Sequence, residues 1–313
     1  MSTATLDIPE RPVTAPRLAE AGAVGRRSLL NGLFVLPYTF VFLALLAIPL
    51  VLGIWLSAQE FDMLAGYVGP VGWNNFKNLF TDRIFLGAIR NSIYFVALTT
   101  PTFVVLGLAL ALALNDPFRR SALLRSIFFG SSILSVTIVT LIWRLVYMPD
   151  RGLLAHLTDS LRLPRLDFIT DERLALPGIA IVTVWWIIGL PMIMFLAALQ
   201  QIPREMYEAT ALDNASRWRT LLSITLPMIR RTIVLVAVVE IVLQFQLFGQ
   251  AQLITGGGPN NASRPIVMFI YEAGFRDWTL GYAAAASQVL FALMFIFAFL
   301  QVSLGGVRQE KAW

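Results

Sequence analysis

Apolar and polar residues are arranged along this chain in long blocks, not with the short alternation of a soluble domain. Six apolar blocks are separated by polar stretches, and they cover residues 29–58, 88–114, 122–147, 174–201, 228–253 and 279–306. Each block is longer than the roughly 20 residues that a helix needs to cross the hydrocarbon core of a bilayer. The pattern therefore predicts an all-α integral membrane protein with six transmembrane helices and both termini on one side.

The same pattern divides the chain into a membrane domain and two tails. The six-helix domain spans residues 29–306, and a polar loop at residues 202–227 separates its fourth and fifth blocks. Residues 1–28 are polar and proline-rich, which predicts a disordered tail, and residues 307–313 form a second tail. Of the 24 Lys and Arg residues, 14 lie in the tails and loops on the side of the termini. Because basic residues favour the cytoplasmic side, both termini and the polar loop are predicted to be cytoplasmic.

Composition agrees with a membrane protein and excludes several kinds of site. Hydrophobic residues make up 57% of the chain and charged residues 14%, whereas a soluble chain carries about a quarter charged residues. The chain has no Cys and a single His, His156, so it lacks the residues for a disulfide, a catalytic thiolate or a Cys/His metal cluster. The glycines at 256–258 precede no Gly-Lys-Ser/Thr, so they form no phosphate loop. No metal or cofactor bound by this chain is expected.

The polar loop (residues 202–227) has the features of a small helical unit. Pro203 suits the first position of a helix, where its missing N–H costs nothing. Residues 204–212 carry apolar side chains at a spacing of three, which predicts a short amphipathic helix. Asn214 tolerates a left-handed turn, and Ser216 can cap a second short helix. The loop is therefore predicted to form a helix–turn–helix unit at the membrane surface.

The residues of the polar loop also match a family signature. ATP-binding-cassette (ABC) importer permeases carry Glu-Ala-Ala, three residues, Gly, nine residues and Ile-x-Leu-Pro. This chain aligns with that spacing at Glu208, Ala209, Thr210, Asn214, Ile224, Leu226 and Pro227, with Thr210 in place of Ala and Asn214 in place of Gly. Further matches to the carbohydrate-uptake (maltose-type) class lie at residues 73–76, 90–92, 253–259 and 281–285. The chain therefore resembles an ABC importer permease (transmembrane) subunit of that class over roughly residues 29–306.

The resemblance implies a fold, a location and partners. The fold would be that of a type I ABC importer permease, in the inner (cell) membrane of a bacterium or archaeon. The partners would be a second homologous permease, two ABC ATPases that use the ATP, an extracytoplasmic sugar-binding protein and membrane lipid, and no nucleic acid. In the family the polar loop is the coupling helix that sits in a groove of the ATPase. The residues implied to make or orient that contact are Tyr207, Glu208, Ala209, Asp213 and Asn214.

Glu240 is the sharpest chemical signal inside a predicted membrane helix. It lies near the middle of the fifth block, where an acidic side chain must face a partner, a cavity or water. Carboxylate and amide groups suit sugar hydroxyls, and Gln244 follows one helical turn later. In the resembled class this helix lines the sugar pocket, which implies substrate contacts from Glu240, Leu243, Gln244 and Leu247. Trp185 is a further candidate, as a stacking surface. The alternatives are a structural acid bonded to a neighbouring helix or the partner permease, and packing for Trp185.

Two classes of function remain. The first is the permease subunit of an ATP-driven importer of a sugar, polyol or oligosaccharide, which forms half of the translocation pathway and is not itself an enzyme. The alternative is a membrane enzyme acting on lipid-linked sugars, with Glu240 as general acid or base. That enzyme needs a second catalytic group, which the sequence does not display. The coupling signature favours the importer.

Overall fold

The computed structural model describes residues 35–115 and 119–304. The chain is mostly helical, as predicted. Both predicted tails, residues 1–28 and 307–313, lie outside the described residues. The chain divides after Gly53 into two units. Helix α1 (Val35–Ser57) is apolar and 23 residues long, and a π-helical turn at Leu43–Ala47 interrupts it without ending it.

A short β-hairpin follows α1, and the all-α prediction missed it. Its antiparallel strands are β1 (Gln59–Asp62) and β2 (Gly66–Pro70). Helix α2 (Asn74–Thr81) comes next. Asn75 donates from Nδ2 to the carbonyl oxygen of Gln59 at 3.0 Å, which fastens α2 to the hairpin.

The longest helix, α3 (Arg83–Ala113), contributes to all three buried apolar clusters of the described bundle. Asp82 caps its first turn, because the carboxylate accepts hydrogen bonds from the backbone N–H groups of Ile84 at 2.7 Å and Phe85 at 3.3 Å. The cap starts α3 ahead of residue 88, where the apolar block begins. Pro101 lies inside α3 without ending it.

The third apolar block forms two helices that meet at an elbow. These are α4 (Arg119–Ser131) and α5 (Val136–Val146), whose axes differ by 93°. The prediction of one helix over residues 122–147 is therefore wrong at residues 132–135. Ser135 supplies part of the physical reason, because its hydroxyl accepts a hydrogen bond from the first turn of α5 at 3.4 Å and so starts a new helix.

The fourth block is also bent. The short helix α6 (Leu153–Ser160) precedes it. The block itself forms α7 (Ala175–Ile187) and α8 (Gly189–Gln200), whose axes meet at 49°. The bend lies beside Gly189 and Pro191, at the start of α8. Proline removes a backbone donor and glycine allows close approach of another chain segment, so both residues favour a break.

The rest of the chain contains the polar loop and the last two apolar blocks. Its longer helices are α9 (Arg204–Leu212), α10 (Arg217–Thr220), α11 (Arg230–Phe245), α12 (Gly249–Ile254), α13 (Ile266–Tyr271) and α14 (Leu280–Leu304). A π-helical turn (Leu221–Thr225) and a single α-helical turn (Leu226–Met228) lie between α10 and α11, and another π-helical turn (Glu272–Arg276) follows α13. The fifth block, residues 228–253, is thus not one helix: α11 and α12 are separated at residues 246–248.

The described bundle is a membrane-spanning one by length and composition. Among the described residues three helices, α1, α3 and α14, are long and apolar enough to cross a membrane, and the number rises to five if each bent pair is one crossing. One apolar cluster joins α2, α3, α11, α13 and α14, a second joins α3, α5, α7 and α12, and a third joins α3, α8 and α11. The third cluster reaches the base of the polar loop.

Candidate functional site

The polar loop folds as a helix–turn–helix unit between α8 and α11. Asn214 has φ +49°, so it takes the predicted left-handed conformation. The Ser216 hydroxyl accepts a hydrogen bond from the Arg219 N–H at 3.3 Å, which confirms it as a helix cap. Pro203 lies one residue earlier than predicted, in an extended conformation (ψ 137°), and α9 begins at Arg204.

Four of the five predicted coupling residues are exposed on the polar loop. Glu208, Ala209, Asp213 and Asn214 present their side chains to the surroundings. Tyr207 is half-buried, and its hydroxyl lies 3.3 Å from Oγ1 of Thr225. Tyr207 therefore ties α9 to the second half of the loop, whereas the other four are available to a partner. A contact with an ATPase stays a prediction for all five.

Two large apolar side chains on the polar loop are exposed. Leu212, which belongs to the apolar spacing of α9, is 86% exposed, and Trp218, which the sequence did not indicate, is 72% exposed. Single exposed apolar residues are common on protein surfaces, and only a contiguous apolar patch marks a contact site, so these two side chains alone assign no partner.

Glu240 and Gln244 form a buried pair inside the described bundle. They are 1% and 3% exposed, and Gln244 donates from Nε2 to Glu240 Oε2 at 2.9 Å. The other carboxylate oxygen, Oε1, accepts no hydrogen bond from the residues that the structure describes. Burial of an acid in a membrane helix is costly, so this pair holds a defined place between α11 and its neighbours.

The other candidate pocket residues lie elsewhere. Leu247 is buried in the apolar cluster with α5 and α7. Leu243 is 40% exposed, and Trp185 is 46% exposed along an apolar groove of about 440 Å³ between α3 and α7. Within this single chain the five residues do not form one site, and their contact with a substrate stays a prediction.

A further polar site joins the motif at residues 90–92 to the loop that continues from the motif at residues 253–259. Asn91 donates from Nδ2 to the carbonyl oxygens of Asn261 at 2.8 Å and Arg264 at 3.0 Å. The neighbouring Ser92 hydroxyl accepts a hydrogen bond from the Ile266 N–H at 2.9 Å. The motif at residues 90–92 therefore holds the glycine-rich loop that follows α12. Sequence reasoning noted both motifs but not their contact.

Comparison with known proteins agrees with this arrangement. The chain is 32% identical to the diacetylchitobiose uptake system permease protein NgcF of Streptomyces coelicolor, over 92% of this chain and 88% of that protein. It is 31% identical to the multiple sugar-binding transport system permease protein MsmF of Streptococcus mutans, over 82% of this chain and 88% of that protein.

A solved structure shares the fold. It is a chain of a bacterial alginate ABC transporter in complex with an alginate pentasaccharide-bound periplasmic protein, with TM-score 0.77 and 23% identity, over 88% of this chain and 93% of that chain. The profile of the binding-protein-dependent transport system inner membrane components matches residues 83–305. That range includes the polar loop, both bent pairs and the Asn91 site. The chain therefore belongs to the family of inner membrane components of binding-protein-dependent transport systems.

Proposed function

We propose that this chain is a permease subunit of an ATP-driven importer of a sugar, polyol or oligosaccharide, and forms half of its translocation pathway. The observation that carries the proposal is the polar loop, an exposed helix–turn–helix unit between two membrane segments of a family member. Relatives named for diacetylchitobiose uptake and multiple-sugar transport support a saccharide substrate. The relatives are named permease proteins, so ATP hydrolysis belongs to partner subunits.

In this proposal the chain crosses the inner membrane six times. The fifth crossing consists of α11 and α12 together, because the 16 residues of α11 span only about 24 Å. Both termini and the polar loop are cytoplasmic, an orientation supported by the Arg residues of the loop and by the two Arg residues with which α4 begins. The membrane domain extends over residues 29–306.

The assembly contains a second homologous permease, two ATPases and an extracytoplasmic binding protein. The exposed residues of the polar loop contact or orient the ATPase: Glu208, Ala209, Asp213 and Asn214. Tyr207 holds the two halves of the loop together through its contact with Thr225. The alginate transporter in complex with a periplasmic protein supports the binding-protein partner. This chain binds no cofactor of its own.

The substrate route runs along α11 in this proposal. Leu243 is exposed on that helix, while Glu240, Gln244 and Leu247 lie behind it and reach the route when neighbouring helices part. Trp185 offers an aromatic surface on α7. Carboxylate and amide groups supply acceptors and donors for hydroxyl groups, and apolar residues cover sugar C–H faces.

Charge reversal on the polar loop tests the proposal. The tagged chain is purified with its co-expressed partners, and the associated ATPase and sugar uptake are measured. Glu208→Lys is expected to retain the ATPase partly and to abolish uptake, because Glu208 is one of the residues that the family resemblance implies in the ATPase contact and Glu205 is not. Glu205→Lys is the matched control on the first turn of the same helix and should keep uptake. Wild-type uptake in Glu208→Lys would contradict the coupling role, and absence of any ATPase would contradict the importer.

A further inference from the structure

Three apolar segments of the described bundle are broken, two near their midpoints and the third closer to its C-terminal end. The breaks lie at residues 132–135 between α4 and α5, at Ile188 between α7 and α8, and at residues 246–248 between α11 and α12. A helix break frees backbone carbonyl and N–H groups, which lipid cannot satisfy. Each break therefore needs partners from other segments.

The first two breaks supply each other with hydrogen bonds. The Ser131 hydroxyl, at the end of α4, lies within hydrogen-bonding distance of two carbonyl oxygens, that of Trp186 at 2.9 Å and that of Phe128 in its own helix at 2.8 Å. In the opposite direction, the Trp186 indole Nε1 donates to the carbonyl oxygen of Leu134, in the elbow, at 3.1 Å. Two hydrogen bonds running in opposite directions fix both the distance and the rotation between the two bends.

Close packing reinforces this link. A methyl group at Gly189 would overlap the carbonyl oxygen of Phe128 and would lie 2.6 Å from the Phe129 Cα, so only glycine allows α8 to approach α4 here. The third break reaches the other side of the elbow. A methyl group at Gly249 would lie 3.0 Å from Cγ2 of Val136, the first residue of α5. All three breaks thus meet around residues 131–136.

Both helices that flank the polar loop lead to this meeting point. α8 is 12 residues long and extends about 18 Å from Gly189 to a point three residues before α9. α11 leads from the other end of the loop to the third break. A displacement of the polar loop is therefore passed along two continuous helices to the elbow, where the bundle changes direction.

We propose that Ser131, Trp186 and Gly189 are positioning residues that lock the two bends into one joint, which carries the movement of the polar loop into α4 and α5. The proposal rests on the proposed function, because it requires the polar loop to move with an ATPase. The joint moves as one body, so the distance across it stays fixed while the polar loop changes position.

Distances between spin labels test the joint directly, and the absence of native Cys makes specific labelling straightforward. One pair, Ile133→Cys with Ile181→Cys, spans the joint at exposed positions of the elbow and α7. A second pair, Leu212→Cys with Leu153→Cys, reports movement of the polar loop relative to α6. Both pairs are measured in the purified complex, free of nucleotide and after trapping with ATP and vanadate.

In the wild type, trapping should change the Leu212–Leu153 distance and leave the Ile133–Ile181 distance within about 2 Å, the scale of a helix shift in a packed interface. Ser131→Ala should broaden the Ile133–Ile181 distribution and lower nucleotide-dependent sugar uptake several-fold, with the ATPase still bound. Ser132→Ala is the matched control, since that hydroxyl donates within its own helix to the Phe129 carbonyl at 2.5 Å. Ser131→Thr keeps the hydroxyl and should restore both readouts.

The outcomes separate the joint from the function it serves. A Leu212–Leu153 distance that changes together with the Ile133–Ile181 distance would keep the importer and overturn the joint. A Ser131→Ala variant whose Ile133–Ile181 distance distribution is as narrow as that of the wild type would overturn the joint as well. If neither distance responds to trapping and no ATPase is bound, the proposed function fails and the joint fails with it.

Discussion

Asn91 offers the sharpest test of how the structure holds its glycine-rich loop. The side chain is 5% exposed and donates two hydrogen bonds to backbone carbonyls of that loop. Asn91→Ala removes both donors and leaves two carbonyl oxygens without that partner. A buried polar group left unpaired costs about 1–3 kcal/mol, which applies to the carbonyl oxygen of Arg264. Asn261 is exposed, so its carbonyl oxygen can bond to water and only the net value of that hydrogen bond, about 1 kcal/mol, is lost there, which gives a total loss of about 2–4 kcal/mol.

The thermal midpoint of the purified complex measures this loss. A loss of that size corresponds to a drop on the order of 5–15 °C for a domain of about this length. The thermal midpoint of Asn91→Asp should fall further than that of Asn91→Ala, because a carboxylate has no donor and would face two carbonyl oxygens. Asn78→Ala, at an exposed position of α2, is the control and should stay near the wild-type midpoint. Equal midpoints for Asn91→Ala and Asn78→Ala would refute the argument, as would an Asp variant more stable than the Ala variant.

Two further predictions concern the hairpin. Gly281→Ala should lower the thermal midpoint, because its methyl group would overlap the Gln59 carbonyl oxygen and push β1 away from α14. Gly69→Ala is the control and should keep the midpoint, because a methyl group there meets nothing within 4 Å. Equal midpoints for the two variants would contradict this contact. The backbone N–H groups of the hairpin turn, that of Ala65 first, hold the pKa of Asp62 below its ordinary value of 3.8. Because the pKa of Asp62 is lower in the folded state, its ionised carboxylate stabilises the turn at pH values above 3.8, and this stabilisation is lost as the pH falls through the lower folded pKa. Hydrogen exchange of the turn should therefore rise over that pH range in the wild type but not in Asp62→Asn.

The polar loop could be predicted from the sequence because short-range rules decide its shape. Asn214 takes the left-handed conformation and Ser216 caps the second helix through bonds that span only a few residues. The bend at Gly189 was foreseeable for the same reason, since glycine and proline act on the local backbone. Family signatures in this loop then identified the class of protein.

The elbow and the third break could not be predicted in the same way. Residues 132–135 contain no proline or glycine, and the helix ends there because Ser131 and Leu134 bond to Trp186, more than 50 positions away in the chain. Likewise, the position of Glu240 in the sequence gives its depth in the membrane but not the direction it faces. The structure places it inside the bundle against Gln244, and its contact with a substrate stays a prediction.

The most direct test of the central claim is the ATPase activity of the purified complex with its binding protein and a panel of saccharides and polyols, including diacetylchitobiose, maltose and sorbitol. The account predicts that one class of substrate raises the hydrolysis rate, and that Glu240→Gln weakens this stimulation while the complex stays assembled. Stimulation that is unchanged in Glu240→Gln would keep the importer and assign Glu240 a structural role. A complex that carries no ATPase, or an ATPase that no member of the panel stimulates, would contradict the account.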